Sequence, residues 1–278
     1  MPLALETAPG PTLAPAYRRL AGLCDALAVR VAAPGGGPGR PGPTTADLVL
    51  DPCALDAFVD AEADRIRARH GVTVRRDVAA SRALHDYVWS VALLMSGVWY
   101  LERRVPRIRP EDVRPDLGSC GYTVTPGTAF ACLPGDPAAG LPGVLTLPHE
   151  EALRHELRSA VADHMRPLLD TLGPVVRRGP RALWGMVADD LVSGVWYLGR
   201  TLGREEEAVR AAGELLPAAV APYPGGAAFR SLTGEDGRRH LTRTRTGCCL
   251  FYAVRPAESC LTCPRTSDEE RLRRLGTR

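Results

Sequence analysis

Ser96-Gly97-Val98-Trp99-Tyr100-Leu101 recurs, residue for residue, as Ser193-Gly194-Val195-Trp196-Tyr197-Leu198, at an offset of 97 residues. The match includes two rare aromatics, so chance is a poor account of it. Downstream the likeness continues after a two-residue insertion: Ala129-Phe130, Leu133 and Gly135 stand against Ala228-Phe229, Leu232 and Gly234. Each copy has the same order: a long helix, a helix carrying the repeat, a loop rich in Pro and Gly, then Ala-Phe. The expected fold is mainly α, with two related helical halves packed together by internal duplication and a small Cys-rich C-terminal segment. Aromatics at helical spacing usually bury area, so the Trp-Tyr pairs are expected in the core. The alternative is that they line a pocket between the halves.

Helical spacing extends outward from the repeat. Leu13, Tyr17, Leu20, Cys24, Leu27 and Val31 predict an amphipathic helix capped by Thr12 and ended by Pro34. Over residues 34–43 only Arg40 interrupts Gly and Pro, which is a linker composition. Asp51 fits an N-cap and Pro52 the first helical position. Leu55, Phe58, Val59, Glu62 and Ile66 then share one face, and His70-Gly71 supplies a stop. Further helices are expected over 81–103, 148–173 with a bend at Pro167, 181–202 and 204–216, with a Pro/Gly loop running to about residue 143. The expected organisation is an N-terminal helix and linker at 1–46, a duplicated helical domain at 47–237 and a metal-binding segment at 238–278.

Composition narrows the function classes. Of 278 residues, 45% are apolar and 24% charged, ordinary for a globular protein and incompatible with disorder throughout. Net charge is +3, too weak to argue for nucleic-acid binding. All 35 basic side chains are Arg, so an isolated Arg carries little weight as a signal. The opening MPLALETAPG lacks a basic region and carries Glu6, a poor secretory signal. The longest apolar stretch, 88–101, has fourteen residues. A bilayer span needs about 20. A cytoplasmic protein with no integral membrane segment is expected, and there thiols stay reduced.

Half of the eight cysteines fall within sixteen residues, as Cys248, Cys249, Cys260 and Cys263, in the pattern C-C-x10-C-x2-C. Four thiols this close in a reducing compartment form a soft-ligand site, for iron–sulfur or for zinc. Neighbouring side chains of a regular strand point to opposite faces, so if Cys248 and Cys249 serve one centre the backbone must leave strand geometry there. Gly247 gives that freedom. A single tetrahedral zinc with adjacent ligands is cramped, and a two-iron cluster, which takes thiolates pairwise, suits the spacing better. Zinc and an incidental or disulfide role stay open on spacing alone. Residues 250–254, LFYAV, read as a short strand. Arg243, Arg245, Arg255 and Arg265 bracket the cysteines, either as tuning charges or as solvated surface. Ser267 and Glu270 form a capping box for a last helix that closes over the site.

Arg245-Thr246-Gly247-Cys248-Cys249-Leu250-Phe251-Tyr252, followed by Cys260-Leu261-Thr262-Cys263-Pro264, resembles the C-terminal signature of the FhuF family of ferric siderophore reductases. The resemblance covers about the last forty residues; the upstream helical region resembles the family's helical domain only in general character. It implies that Cys248, Cys249, Cys260 and Cys263 ligate a [2Fe–2S] cluster. It also implies a cytoplasmic enzyme that passes one electron to iron(III) in an imported siderophore and so releases iron(II). Arg243, Arg245 and His240 are the expected substrate contacts, His240 alternatively tuning the cluster. No P-loop, dinucleotide fingerprint or nucleophile elbow is present, so electrons are expected from an external protein: a ferredoxin, a flavodoxin or a reductase. The rival readings are a non-enzymatic iron–sulfur sensor or electron carrier, and a helical protein with a structural zinc site. No basic helix-turn-helix favours a sensor.

The remaining candidates are bland. Cys24, Cys53, Cys120 and Cys132 are expected as small buried hydrophobes. Glu151, His155 and His164 share helical spacing but lack the further carboxylates of a second metal site; with His70, His85 and His149 they are expected in surface or cap contacts.

Overall fold

The computed structural model describes residues 13–32 and 42–276. The protein is mainly helical, with nine α-helices among the described residues. The expected Thr12 cap, and the linker over residues 34–41, lie outside the described residues.

Helix α1 (Ala14–Leu23) is shorter than its periodicity suggested. The chain instead enters a strand, β1 (Val29–Val31), where the helical pattern predicted two further turns. Helix α2 (Thr45–Leu50) opens on a capping box between Thr44 and Asp47. Helix α3 (Pro52–His70) matches the sequence reading throughout. Asp51 accepts from the Cys53 N–H, Leu55, Phe58, Val59, Glu62 and Ile66 are its buried residues, and Gly71 ends it with φ 68°.

Helix α4 (Arg76–Glu102) starts five residues before its expected position and carries the first repeat copy. Almost every side chain from Val78 to Tyr100 is buried, as for a helix that is apolar on all sides. It packs against α1, α3, α5 (Glu150–Val176) and α6 (Pro180–Thr201), the last carrying the second copy. The two copies meet where α4 crosses α6. A Cβ on Gly97 would lie 3.1 Å from Leu198 Cδ1 and 2.7 Å from Leu20 Cδ1. One on Gly194 would lie 3.2 Å from Leu93 Cδ1. Each glycine therefore lets the other half's leucine approach, and the repeat serves helix packing. Trp99 and Tyr100 are buried as expected; Trp196 and Tyr197 are half-buried, with Trp196 edge-on to Phe229.

The loop expected after α4 is not structureless. It folds as β2 (Arg104–Pro106), β3 (Val113–Pro115), β4 (Tyr122–Val124), β5 (Phe130–Cys132) and β6 (Val144–Thr146). β4 pairs parallel with β1 and antiparallel with β3; β5 pairs antiparallel with β2 and parallel with β6. Cys132 is buried in β5, whereas Cys53 and Cys120 are exposed, against expectation: Cys53 lies in the first turn of α3, off its buried face, and Cys120 in the bend before β4.

Helix α5 begins after His149, whose Nδ1 accepts from the Ala152 N–H. The helix runs through Pro167, Gly173 and Pro174, beyond the expected stop. Tertiary packing of its apolar face overrides those local breakers. His164 on α5 is buried rather than superficial. Its Nδ1 lies 2.8 Å from the Ile108 carbonyl and its Nε2 2.6 Å from the Tyr87 hydroxyl. Since the carbonyl only accepts, Nδ1 carries the proton and Tyr87 donates to Nε2. Helix α7 (Glu205–Leu215) follows α6 and leads to the hairpin β7 (Phe229–Thr233) and β8 (Arg239–Arg243). The apolar run at 250–254 forms a short helix, α8 (Phe251–Val254), not a strand: Leu250 before it takes φ 62° and turns the chain out of extended geometry. Last comes α9 (Asp268–Gly276).

Candidate metal centre

Two adjacent acids in α6 organise the cysteine segment. Asp189 and Asp190 are fully buried within the apolar middle of α6, and each holds an arginine that ends β8 or follows it. Arg243 Nη2 donates to Asp189 Oδ1 at 2.6 Å, and its other nitrogens reach the Ala227 carbonyl, the Asp189 carbonyl and Ser193 Oγ. Arg245 pairs with Asp190, whose other oxygen lies 2.8 Å from His85 Nδ1 on α4. Burial pushes the Asp189 carboxyl up, opposed by Arg243 and Arg245. Burial acts on Asp190 too, but Arg245 and His85 outweigh it and hold that carboxyl below the usual range.

The chain then crosses α6 at closest approach. Gly247 N–H donates to Asp189 Oδ2 at 2.7 Å. A Cβ on Gly247 would lie 2.8 Å from the Met186 nitrogen, and one on Gly185 3.1 Å from Thr246 Cγ2. Glycine at both positions lets two backbones touch, which fixes where Cys248 and Cys249 emerge.

The second cysteine pair is held by a turn. Cys263 N–H donates to the Cys260 carbonyl at 3.0 Å, and Arg245 N–H donates to the Thr262 carbonyl at 2.9 Å, joining the two arms. Helix α9 closes this turn from outside. Arg271, buried, donates from Nε to the Leu261 carbonyl at 2.6 Å and from Nη2 to the Cys263 carbonyl at 2.7 Å. Ser267 Oγ accepts from the Glu270 N–H, as expected for its cap; the Glu270 carboxylate turns to Arg273 and Arg274 rather than completing the box.

All four cysteines line one cleft with Arg245, Gly247, Phe251, Tyr252, Ser259 and Pro264. Cys248 Sγ and Cys263 Sγ are 4.0 Å apart. Cys249 and Cys263 are buried, Cys248 and Cys260 half-buried. Burial pushes the Cys260 and Cys263 thiols up, with Arg245 opposing it at Cys260. A metal would replace those protons. Among the described residues no three His, Cys, Asp or Glu side chains are gathered as the ligand set of a single ion. The donor set fits a [2Fe–2S] group: four sulfurs around one cleft, no carboxylate or imidazole on its lining, and guanidinium charge beside it.

The other expected site residues fare differently. Arg243 is 1% exposed, so it supports Asp189 and is closed to an external ligand, contrary to the substrate role expected of it. His240 sits on β8 opposite Leu232, close to the hairpin turn, and is not among the residues lining the cleft. Arg255 is exposed and paired with Glu258; Arg265 lies 4.2 Å over the Tyr252 ring. Sequence reasoning missed Asp189, Asp190 and Arg82, the last of which reaches Cys249 from α4, and expected of His85 a surface or cap contact where it instead pairs with buried Asp190. One signal was available: two adjacent acids between Ala188 and Leu191, inside a helix that is otherwise apolar there.

No curated protein matches the chain at a significant level. Residues 245–265 match the family model of the FhuF 2Fe-2S C-terminal domain, the segment that carries all four clustered cysteines. The expected resemblance is borne out over this segment: residues 245–265 are similar to the FhuF 2Fe-2S C-terminal domain, which is consistent with the FhuF family.

Proposed function

We propose that the protein is a ferric siderophore reductase whose [2Fe–2S] group is held by Cys248, Cys249, Cys260 and Cys263. The observation that carries this reading is the convergence of these four sulfurs on one cleft within the matched segment. When bound, the group supplies one electron at a time, and iron(III) that receives one becomes iron(II), a poorer partner for hard oxygen chelators. The chain's own residues supply position and electrostatics. Arg245 and Arg82 place positive charge beside Cys249, which favours the more negative, reduced state. Phe251 and Tyr252 line the cleft and give it an aromatic wall. The electron reaches the site from an external protein donor of the ferredoxin, flavodoxin or reductase kind. Cytoplasmic location accords with reduced thiols. Among the described residues no helix is long and apolar enough to cross a membrane.

The test is turnover. Reduced protein is mixed with a ferric siderophore and an iron(II) trap, with Cys248→Ser as control. Trap colour from the unsubstituted protein alone supports the proposal. Equal colour from both, or none from either, sinks it and leaves an iron–sulfur protein that carries or senses electrons.

A further inference from the structure

A second cavity adjoins the cysteine cleft, with Tyr252 on the lining of both. Its walls are the turn entering α4, with Arg75 and Asp77, and the turn leaving α5, with Arg177 and Arg178; its floor is α8, with Leu250 and Tyr252. Tyr252 lines both this cavity and the cysteine cleft, so it is the partition between them. The volume is about 490 Å³. Small-molecule sites run to roughly 300–1,000 Å³.

The charge is one-sided. Arg75 Nε donates to Asp77 Oδ1 at 2.9 Å, so the cavity's carboxylate is already neutralised. Arg177 is exposed and Arg178 half-buried, and neither forms an ion pair with any described residue. Arg177 is held at the cavity mouth by its φ of 58° at the end of α5. Arg177 and Arg178 stand on the lining of this cavity and also on that of a neighbouring one beside α6, and two guanidiniums without an ionic partner at a concavity suit oxygen anions, which they bind through paired N–H groups. A protein partner would need about 800 Å² of matching surface, whereas this site is a hollow.

We infer that this cavity receives an anionic ferric chelate, with Arg177 and Arg178 reading the negative charge of its periphery and Tyr252 separating its iron from the cysteine cleft. The inference rests on the reductase reading above and specifies where, and for which charge class, the substrate docks. A neutral chelate gains nothing from the two arginines, so the cavity discriminates by charge.

Binding tests this without turnover. Gallium(III) complexes stand in for iron(III), because gallium(III) is not reduced. A trianionic hexadentate tris-catecholate and a neutral hexadentate tris-hydroxamate are titrated into the cluster-containing protein, followed by calorimetry. The variants are Arg178→Glu and the double Arg177→Gly/Arg178→Ala; glycine preserves the left-handed backbone at 177. Affinity for the trianion should fall by about tenfold for each guanidinium removed. Affinity for the neutral complex, and the visible spectrum, should not change. Equal loss for both probes, no loss for the trianion, or no binding of the trianion to the unsubstituted protein overturns the inference. So does a variant that binds both probes normally but accepts electrons more slowly from an acidic ferredoxin, which would make the cavity a donor dock. Failure of the trap assay with gallium binding intact counts against the reductase reading alone.

Discussion

The backbone N–H of Gly247 donates to Oδ2 of Asp189 at 2.7 Å, tying the residue before two adjacent cysteines to the middle of α6. The other oxygen of that carboxylate accepts from Arg243 at 2.6 Å, and both side chains are buried. Asp189 thus holds both ends of the segment leading from β8 to the cysteines. Asp189→Asn leaves the Arg243 charge without its counter-ion inside the protein. Breaking such a pair costs about 3–5 kcal/mol. Urea unfolding should show a loss of that order, and a loss below about 1 kcal/mol would show that Arg243 does not depend on the charge. Gly247→Ala should lower iron per chain, because its Cβ would press on the α6 backbone.

Cysteine replacements should divide by location. Cys248→Ser and Cys263→Ser remove sulfurs that stand 4.0 Å apart on the cleft and should abolish most visible absorption and bound iron. Cys132→Ser, buried in β5, and Cys53→Ser, exposed at the start of α3, should keep both. Full iron content in either of the first two variants refutes the ligand assignment.

Arg82 offers a charge test that leaves the Asp189–Asp190 pairings intact. It donates to Asp86 at 2.7 Å, packs over the Phe251 ring and reaches Cys249. Reduction adds negative charge, so loss of a nearby cation should favour the oxidised state. Arg82→Gln should shift the midpoint potential downward, on the order of tens of millivolts, in a redox titration followed by spin resonance. An unchanged potential with intact absorption would assign Arg82 to packing alone.

His164 should make stability depend on acid. Burial lowers its pKa from 6.5 to about 4. Between those values the unfolded chain binds the proton and the folded one does not, so stability falls as pH drops from 6.5 towards 4 and is unaffected by this residue above that window. The shift corresponds to about 3 kcal/mol when complete. Unfolding free energies at pH 7 and pH 4.5 should differ more for the unsubstituted protein than for His164→Asn. Equal differences would mean that His164 charges in place.

The sequence by itself determined what local chemistry determines. Asp51, Pro52 and Gly71 bound α3 because a cap, a fixed φ and a left-handed stop act within a few residues. The repeated Ser-Gly-Val-Trp-Tyr-Leu marked the two helices that cross at the centre, and the four cysteines marked the segment that matches the FhuF C-terminal family model. Where the signal was short, it failed. The strands between β2 and β6 have three residues each, too few for alternation to register, and the five-residue run at 250–254 suits a strand or a helix equally until Leu250 turns the backbone. Only tertiary structure decided which arginines serve the site. Arg243 and Arg245 find Asp189 and Asp190 across more than fifty residues of chain, and Arg177 and Arg178 come to line one cavity with Tyr252, which lies more than seventy residues on. Pairing of distant residues follows from how apolar faces are buried against one another, and no local pattern encodes it.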